Sequence, residues 1–394
     1  MSSYAEAREA LRSRDLRQAL YDEGAALMSD VIVNLHGEEH VARRRLENRL
    51  FRRDTFAWYE SERIPAIIAE VLAPAVEAGS GELGRLARRT MMVLSVDVAG
   101  VDRPAGDAAE IERLYDLMDT MARAATVAHA TGDKGAIIEA GNRALADFAV
   151  EFFEPSRARR AALVDAVERG DVAESDLPRD VLTTLLRNLD RLDLGADTIL
   201  RETAYYPWVG SHSTANQFLH AMHHLFEAIE DDPSLRERLL DDPDLLQAHV
   251  HESIRLHPAS PVARRIAVRG VTLSTGRSIA EGEEVLIEVE AANRDPAAVG
   301  AEPDHFRPGR ERADRVAPWG LSFGHGTHAC LGQELAGGVD VSAAEPGTTL
   351  LRGAIATMAC EVLAAGAEPD PSDPAAADAT TTRQMWGRYP VRFG

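Results

Sequence analysis

Residues 321–336 read LSFGHGTHACLGQELA, and this stretch decides what the chain can be. It combines three glycines and two histidines with Cys330, one of only two cysteines in the chain. Closely spaced glycines let the backbone approach a flat or charged group, and the residues after them are typical of a helix start. At a helix start, the dipole and the N–H groups favour a thiolate over a thiol. We therefore expect Cys330 to act as a thiolate in the first turn of a helix.

A thiolate at Cys330 suits iron, because sulfur is a soft ligand. Zinc is a poorer candidate, since no second cysteine lies at the C-x-x-C spacing of zinc sites. A nucleophilic cysteine stays open as an alternative, although the glycines suit a large planar group better than an oxyanion hole. Cys360 lies on the apolar face of the predicted helix IATMACEVL, and we expect it to be a buried structural residue.

The composition is that of a globular protein with a large core. The chain has 394 residues, 45% of them hydrophobic, and 43 basic against 64 acidic residues give a formal net charge of −21. This dispersed negative charge argues against a nucleic-acid partner, because binding to a phosphate backbone requires basic residues. Length alone suggests two or three domains, but no linker-like segment divides the chain.

The cysteine count and the first residues point to the cytoplasm. Two cysteines cannot form a disulfide framework, which fits a reducing compartment. The segment MSSYAEAREALRSRDLRQAL has no apolar core of the signal-peptide kind. No window approaches the run of about 18 apolar residues that a membrane-spanning helix needs. We expect a cytoplasmic protein without a membrane anchor.

The hydrophobic pattern predicts a mainly α protein with a small β region in its last third. Helical spacing prevails up to about residue 250; it includes a long helix over residues 199–229, kinked at Pro207, and two helices separated at Pro243. From Pro258, valine- and isoleucine-rich segments punctuated by glycine predict short strands. A further helix is predicted at residues 350–366.

The cysteine loop resembles the haem-binding loop of the cytochrome P450 family. The resemblance rests on a pattern that matches at every position, Phe323-Gly324-x-Gly326-x-His328-x-Cys330-x-Gly332. It implies haem b (iron protoporphyrin IX) as the cofactor and Cys330 as its axial thiolate ligand, the ligation that marks this family. It also implies that the glycines let the loop pass under the porphyrin, that Phe323 covers the sulfur side, and that His328 reaches a haem propionate.

Two further motifs resemble the charge network of the same family. Glu252 and Arg255 in HESIRLH match its E-x-x-R pair, and one helical face carries both residues. The segment HFRPGR, with Phe306, Pro308 and Arg310, resembles the partner of that pair. Alone, E-x-x-R is an ordinary surface ion pair. Beside a matching cysteine loop, it implies a buried network that holds the haem pocket.

Three basic residues resemble those that bind the haem propionates. His40 and Arg44, one helical turn apart in EEHVARRRL, resemble the family's H-x-x-x-R pair. Arg265 in PVARRIA resembles the strand arginine with the same role, whereas Arg264 is a weaker candidate because it points to the opposite strand face. Buried propionates need paired cations, so we expect these residues to form a cage.

The resemblance covers roughly residues 35–394 and is strongest from 199 to 336. It implies a single cytochrome P450 domain over residues 1–394 with a shortened N-terminus, because only about 40 residues precede the H-x-x-x-R pair. A loop-like insertion at about residues 337–349 interrupts the helix after the cysteine.

The long central helix departs from the family at one position. In the family, a glycine is followed by an acid beside an alcohol, which help to deliver protons during oxygen activation. Gly210 matches the glycine, which leaves room for oxygen, and Ser213 matches the alcohol, but His212 replaces the acid. A histidine also relays protons near neutral pH, so we expect these three residues to form the catalytic group.

Four residues are candidates for the substrate pocket. Tyr206 lies seven residues before Ser213, hence on the same helix face, and with Val209 it is expected to line the distal pocket. The alternative for Tyr206 is an ordinary core aromatic. Pro261 and Val262 would border the substrate from the other side as an apolar wall.

The resemblance implies a monooxygenase of bacterial secondary metabolism that inserts one oxygen atom from O₂ into a small organic substrate. Electrons would come from a separate ferredoxin and ferredoxin reductase, since the chain carries no flavin or iron–sulfur module. The histidine in place of the acid leaves open a haem-thiolate enzyme with other chemistry, such as oxidative coupling, nitrogen transfer or desaturation. A non-catalytic haem protein that senses or carries a ligand is a second alternative.

Overall fold

The computed structural model describes residues 1–343 and 350–394, and it confirms a mainly α protein with small sheets. The helices of the N-terminal half are α1 (Tyr4–Arg12), α2 (Ala25–Met28), α3 (Gly37–Glu47), α4 (Arg53–Trp58), α5 (Ile64–Glu77), α6 (Leu83–Ala99), α7 (Ala108–Ala125), α8 (Lys134–Phe148) and α9 (Glu154–Glu168). Those that follow are α10 (Val181–Leu186), α11 (Leu189–Leu192), α12 (Ala196–Asp231), α13 (Leu235–Asp241), α14 (Pro243–Leu256), α15 (Val289–Ala292), α16 (Pro296–Val299), α17 (Gln333–Gly337) and α18 (Ala354–Ala364).

The strands are short and pair antiparallel. They are β1 (Leu16–Gln18), β2 (Ser80–Glu82), β3 (Val262–Ala267), β4 (Val271–Thr272), β5 (Ser278–Ile279), β6 (Glu284–Glu288), β7 (Ala367–Pro369), β8 (Ala376–Ala377), β9 (Trp386–Arg388) and β10 (Pro390–Phe393). Two sheets have the strand orders β1-β3-β6 and β2-β10-β7, and β4-β5 and β8-β9 form two-stranded pairs.

Strands β1 and β2 lie far from the last third of the chain, where the sequence pattern predicts the β region. Each is only three residues long, which is too short to show the alternation that marks a strand. Their partners lie far along the chain, because Leu16 pairs with Ala267 and Gly81 pairs with Val391. Long-range pairing therefore makes these segments strands.

The described residues divide into two compact units. The first, which we call the sheet unit, consists of Met1–Ala19, Arg53–Thr90 and Ser213–Gly394. It contains all the strands given above. Its core joins α1 to the β1-β3-β6 sheet, where Ala7 and Ile287 are fully buried.

The second unit, which we call the helical unit, consists of Leu20–Arg52 and Met91–His212. Helices α7 and α8 pack closely in it, because a Cβ at Gly141 would lie only 2.3 Å from the Cβ of Ala124. The expectation of a single domain over the whole chain stays a prediction.

Helix α12 is the long central helix of the sequence pattern, and its residues belong to both units. It continues through Pro207 as one helix. Pro243 opens α14, and the Asp242 side chain caps that helix by accepting from the N–H groups of Asp244 and Leu245. The predicted separation of two helices at Pro243 is thus present.

Within the described residues, no helix combines the length and the apolar character needed to cross a bilayer.

The predicted insertion after the cysteine loop lies partly outside the described residues, which omit 344–349. Its described ends meet, because the Val339 N–H donates to the Leu351 carbonyl at 2.9 Å. At Gly353, where φ is +84°, a Cβ would lie 2.4 Å from the Gly338 nitrogen. The described chain on either side of residues 344–349 is therefore held together near Gly338 and Gly353, and the insertion itself stays a prediction.

Candidate active site

The cysteine loop is a series of tight turns in the sheet unit. Gly324 and Gly326 have φ values of +70° and +74°, a backbone region that favours glycine. The Cys330 N–H donates to the Phe323 carbonyl at 2.8 Å, which closes the loop. A Cβ at Gly326 would lie 2.9 Å from the Cα of Arg12, so this glycine lets the loop rest against α1.

Cys330 does not lie in the first turn of a helix, contrary to the sequence expectation. Its N–H is taken by the loop turn just described, and α17 begins only at Gln333, with Gly332 as its N-cap. Helix α17 is also only five residues long. The Cys330 side chain is exposed, whereas Phe323, His328 and Gly332 are partly buried. The helix dipole therefore contributes less to thiolate formation than the sequence suggests.

The E-x-x-R pair forms a buried network with Arg310. The Arg255 guanidinium donates twice to Glu252, with Nε–Oε2 and Nη2–Oε1 distances of 2.8 Å. Arg310 Nε donates to Glu252 Oε1 at 2.9 Å, and the Arg307 backbone N–H donates to the same oxygen at 3.0 Å. All three charged side chains are almost fully buried. One carboxylate thus joins α14 to the segment that contains Phe306, Pro308 and Arg310.

Asn293 connects this network to the cysteine loop. Its side-chain amide donates to the Arg255 carbonyl at 3.0 Å and accepts from the Leu321 N–H at 2.7 Å. The Ser322 hydroxyl donates to the Ile254 carbonyl at 2.7 Å. The start of the cysteine loop is therefore tied to the C-terminal turn of α14 by hydrogen bonds.

His251 holds the other end of the loop. Its Nε2 lies 2.6 Å from the Gly337 carbonyl, and burial lowers its pKa to about 4, so a neutral imidazole donates this bond. Gly337 lacks a side chain where a Cβ would lie 3.0 Å from the Phe323 ring. Helix α14 thus braces the loop before and after Cys330.

Neighbouring arginines on β3 have different environments. Arg265 is almost fully buried and donates to the Gln18 side chain. Arg264 is partly exposed and forms an ion pair with Glu284, at an Nε–Oε1 distance of 2.9 Å. Side chains alternate between the two faces of β3, and this alternation therefore favours Arg265, rather than Arg264, as the cation that faces the protein interior.

His40 and Arg44 lie on α3 in the helical unit. His40 is buried, and its pKa falls to about 4, chiefly through burial and secondly through the charge of Arg44. Arg44 Nε donates to Asn48 at 3.1 Å. Whether these residues and Arg265 hold one cofactor stays a prediction.

Helix α3 also contributes to a buried charge cluster that motif matching misses. Arg43 donates to Glu202 Oε2 at 2.8 Å, and the Ile32 N–H donates to the same oxygen at 2.9 Å. The Tyr206 hydroxyl donates to Glu47 Oε2. Both carboxyl groups are fully buried, and each has an Oε1 atom without a hydrogen-bond partner among the described residues.

One guanidinium cannot neutralise two buried carboxylates. Burial raises the pKa of Glu47 to about 7, and burial together with the neighbouring Glu47 raises the pKa of Glu202 well above its ordinary value. We infer that the pair retains one proton at neutral pH, which makes the cluster with Arg43 neutral overall. The cluster fastens α3 to α12.

Gly210 lets α12 pack against α6. A Cβ at this position would lie 2.4 Å from the Ser95 hydroxyl oxygen. The space that the missing side chain leaves is therefore filled by Ser95. A role of Gly210 in leaving room for oxygen stays a prediction. The role of Ser213 as the alcohol beside His212 also stays a prediction; Ser213 is the first residue after the helical unit.

His212 has partners for both of its ring nitrogens. Nδ1 lies 3.0 Å from the Trp208 carbonyl and 3.0 Å from the Ser211 hydroxyl, and Nε2 lies 3.1 Å from Asp119 Oδ1. Burial raises the pKa of Asp119, but the hydrogen bond from His212 and the charges of His212 and Arg123 outweigh it, so that pKa falls below its ordinary range. The histidine in the acid position is thus paired with a carboxylate from α7.

The candidate pocket residues are distributed over both units. Tyr206 is buried, with its hydroxyl on Glu47, and Val209 is partly buried on the same helix. Pro261 and Val262 are partly buried at the start of β3. Their role in a substrate pocket stays a prediction.

The cysteine loop fits a haem bound through sulfur. Its thiol is exposed, while α14 holds the loop before the cysteine through the Ser322 hydroxyl and after it through the Gly337 carbonyl. A soft sulfur donor on a rigid, open loop is suited to an axial iron ligand. Among the described residues, no group of three or more His, Cys, Asp or Glu side chains could hold a metal ion instead.

The sequence of the C-terminal half is similar to cytochrome P450 proteins. The family model for cytochrome P450 matches residues 222–337, which include α14 and the cysteine loop. The cytochrome P450 family protein EryCII of Saccharopolyspora erythraea is 43% identical over 123 residues, 31% of each chain. The mycinamicin IV hydroxylase/epoxidase of Micromonospora griseorubida is 34% identical over 191 residues, which are 48% of this chain and 45% of that protein. The matches thus span less than half the length of these curated relatives.

Comparison with solved structures extends the likeness to the whole chain. The crystal structure of CalO2 matches with a TM-score of 0.74 at 20% identity, covering 100% of this chain and 90% of that chain. The structure of P450BioI in complex with an acyl carrier protein ligated to hexadec-9Z-enoic acid also gives a TM-score of 0.74, at 18% identity and 92% coverage of that chain. At these identities the likeness shows the fold alone. The chain is therefore similar to the cytochrome P450 family both in its fold and in the sequence of its cysteine-loop region.

Proposed function

We propose that this protein is a haem-thiolate monooxygenase that inserts one oxygen atom from O₂ into a small organic substrate. The observation that carries the proposal is the exposed Cys330 thiol on a loop braced by α14. A bound haem b would supply the activation of O₂. In this proposal Cys330 is the axial ligand, and His40, Arg44, Arg265 and His328 hold the propionates.

The residues of the chain contribute position and protons. The Glu252–Arg255–Arg310 network keeps the cysteine loop in one conformation, so that the thiol stays where a ligand is needed. His212 is the proton-relaying group in place of an acid, because imidazole exchanges protons near neutral pH. Inserting one oxygen atom consumes two protons and two electrons and releases water, so a proton route is required.

An acidic ferredoxin is the proposed electron donor. The chain has a net charge of −21, yet the stretch from the end of α3 onward exposes Arg45, Arg49 and Arg52. A local basic segment on an acidic protein attracts an acidic partner to that segment and repels it elsewhere. This pattern supports docking of a ferredoxin near α3.

Spectroscopy of the reduced protein with CO tests the haem ligation. Thiolate-bound haem should give a red-shifted Soret band, because the thiolate donates electron density to iron. Cys330→Ser should abolish the band, and Cys360→Ser is the matched control that should keep it. A colourless protein, or a band that survives Cys330→Ser, would contradict the proposal.

Turnover separates the monooxygenase from its alternatives. Consumption of NADH with a surrogate ferredoxin and reductase, followed over a substrate panel, should yield products heavier by one oxygen atom. Products formed without added oxygen would favour coupling, nitrogen transfer or desaturation. Ligand binding without any NADH consumption would favour a sensor or carrier.

A further inference from the structure

The His212 ring is fixed in one orientation by neighbours on two helices. Asp119 on α7 holds Nε2, while Trp208 and Ser211, both on α12, hold Nδ1. The side chains of His212 and Asp119 are only 18% and 22% exposed. Arg123, one turn along α7, donates to the second oxygen of Asp119 at 2.8 Å.

The partners determine which nitrogen carries the proton of the neutral ring. Asp119 is ionised, because its contacts with His212 and Arg123 outweigh the effect of burial and lower its pKa. An ionised carboxylate only accepts hydrogen bonds, so Nε2 must carry a hydrogen and donate a hydrogen bond to Asp119. Nδ1 is then the nitrogen that can gain or lose a proton.

The surroundings of Nδ1 offer a hydrogen-bond partner in each protonation state, and the Trp208 carbonyl favours the protonated ring. In the neutral ring, Nδ1 accepts from the Ser211 hydroxyl at 3.0 Å, and the Trp208 carbonyl, 3.0 Å away, receives no hydrogen bond from the ring. In the protonated ring, it donates to the Trp208 carbonyl at 3.0 Å, and the Ser211 hydroxyl turns to the Pro207 carbonyl at 2.7 Å. Only hydrogens change place, and a site that needs no movement of heavy atoms exchanges protons at low cost.

We propose that Asp119 is the positioning residue of His212: it keeps Nε2 as a permanent hydrogen-bond donor, so that Nδ1, which accepts from the Ser211 hydroxyl in the neutral ring, is the nitrogen that gains and loses the proton. This inference rests on the proposed function, and it adds Asp119 and Ser211 to the residues that serve it. Asp119 would act on His212 as the carboxylate acts on the histidine of a Ser-His-Asp triad, where it orients the imidazole and stabilises its cation. The charged groups at the ring are Asp119 and, through it, Arg123, both on α7.

The test replaces Asp119 with asparagine, which keeps the shape of the side chain. Nitrogen NMR of histidine-labelled resting protein, with the His212 signals assigned by their loss in His212→Ala, reads the tautomer directly. Wild-type neutral His212 should be protonated at Nε2, whereas Asp119→Asn should also populate the Nδ1-protonated form, since an amide can donate to Nε2. Asp116→Asn is the matched control, because Asp116 is exposed on the same helix.

Turnover provides the second measurement. Asp119→Asn should lower product formation by about 10²-fold and raise release of hydrogen peroxide, with the substrate KM unchanged. Asp116→Asn should do neither. Ser211→Ala should likewise raise peroxide release and shift the Nδ1 signal, and it carries the test if Asp119→Asn does not fold.

Two outcomes would overturn the inference. One is a His212 tautomer that stays unchanged in Asp119→Asn, and the other is normal peroxide release in both Asp119→Asn and Ser211→Ala. The NMR measurement uses resting protein, so it decides the positioning role even if the wild type forms no oxygenated product. In that case the proposed function would fail while the role of Asp119 stood.

Discussion

Replacing Glu47 with glutamine should remove a pH dependence from the stability of this protein. Burial raises the pKa of Glu47 from 4.5 to about 7. Between these values the native state keeps a proton that the unfolded chain releases. The free energy of unfolding of the wild type therefore falls as the pH rises from 4.5 to about 7, because the native state binds the extra proton.

The magnitude follows from the same shift. At 1.36 kcal/mol per pKa unit, a rise from 4.5 to about 7 corresponds to about 3 kcal/mol. Glutamine keeps the shape of Glu47 and can still accept from Tyr206, but it needs no proton. Glu202 is then neutralised by Arg43 alone. The variant should lose the part of the slope that Glu47 contributes and be more stable than the wild type at pH 8 by up to about 3 kcal/mol.

Urea unfolding of the holoprotein, followed by far-ultraviolet circular dichroism from about pH 5 to about pH 8, measures the effect. Glu39→Gln is the matched control, because Glu39 is exposed on the same helix. Its pH profile should follow that of the wild type. If Glu47→Gln keeps the wild-type slope, or if Glu39→Gln removes it, the buried carboxyl pair is not its source.

Two changes near the cysteine loop give further predictions. Glu252→Ala should cost about 3–5 kcal/mol and reduce haem retention, because Arg255 stays buried without its carboxylate. A wild-type yield of holoprotein would refute this. Gly326→Ala should also reduce haem retention, since its φ is +74° and a Cβ would lie 2.9 Å from the Cα of Arg12. In Gly309→Ala, where φ is +72° and nothing lies within 4 Å, only backbone strain of about 1–2 kcal/mol is expected. Equal haem loss in both alanine variants would show that the contact with α1 is unimportant.

Motifs that depend on local spacing could be identified from the sequence. Glu252 and Arg255 are three residues apart, so any α-helix places them on one face. The cysteine loop is equally local, because glycines at Gly324 and Gly326 permit the positive φ values that its turns require. The long helix through Pro207 also follows from its own hydrophobic pattern.

The partners of these motifs depend on tertiary structure. Glu47 meets Tyr206 across 159 positions, and Asp119 meets His212 across 93 positions. No periodic pattern relates residues so far apart. The polar face of α3, which includes Arg43 as well as Glu47, is visible in the sequence, but the helix that covers it is not.

By itself the sequence determined the family resemblance and the mainly α class, and it indicated Cys330 as the candidate ligand, because these depend on residue types at short spacing. Only the tertiary structure decided which carboxylate fixes His212, which side chain fills the space beside Gly210, and where β1 finds its partner strand. It also decided that α17 begins after Cys330, because the Cys330 N–H is taken by the loop turn. The physical reason is the same in each case: a hydrogen bond or a close contact depends on positions in space, and these exist only once distant segments have packed together.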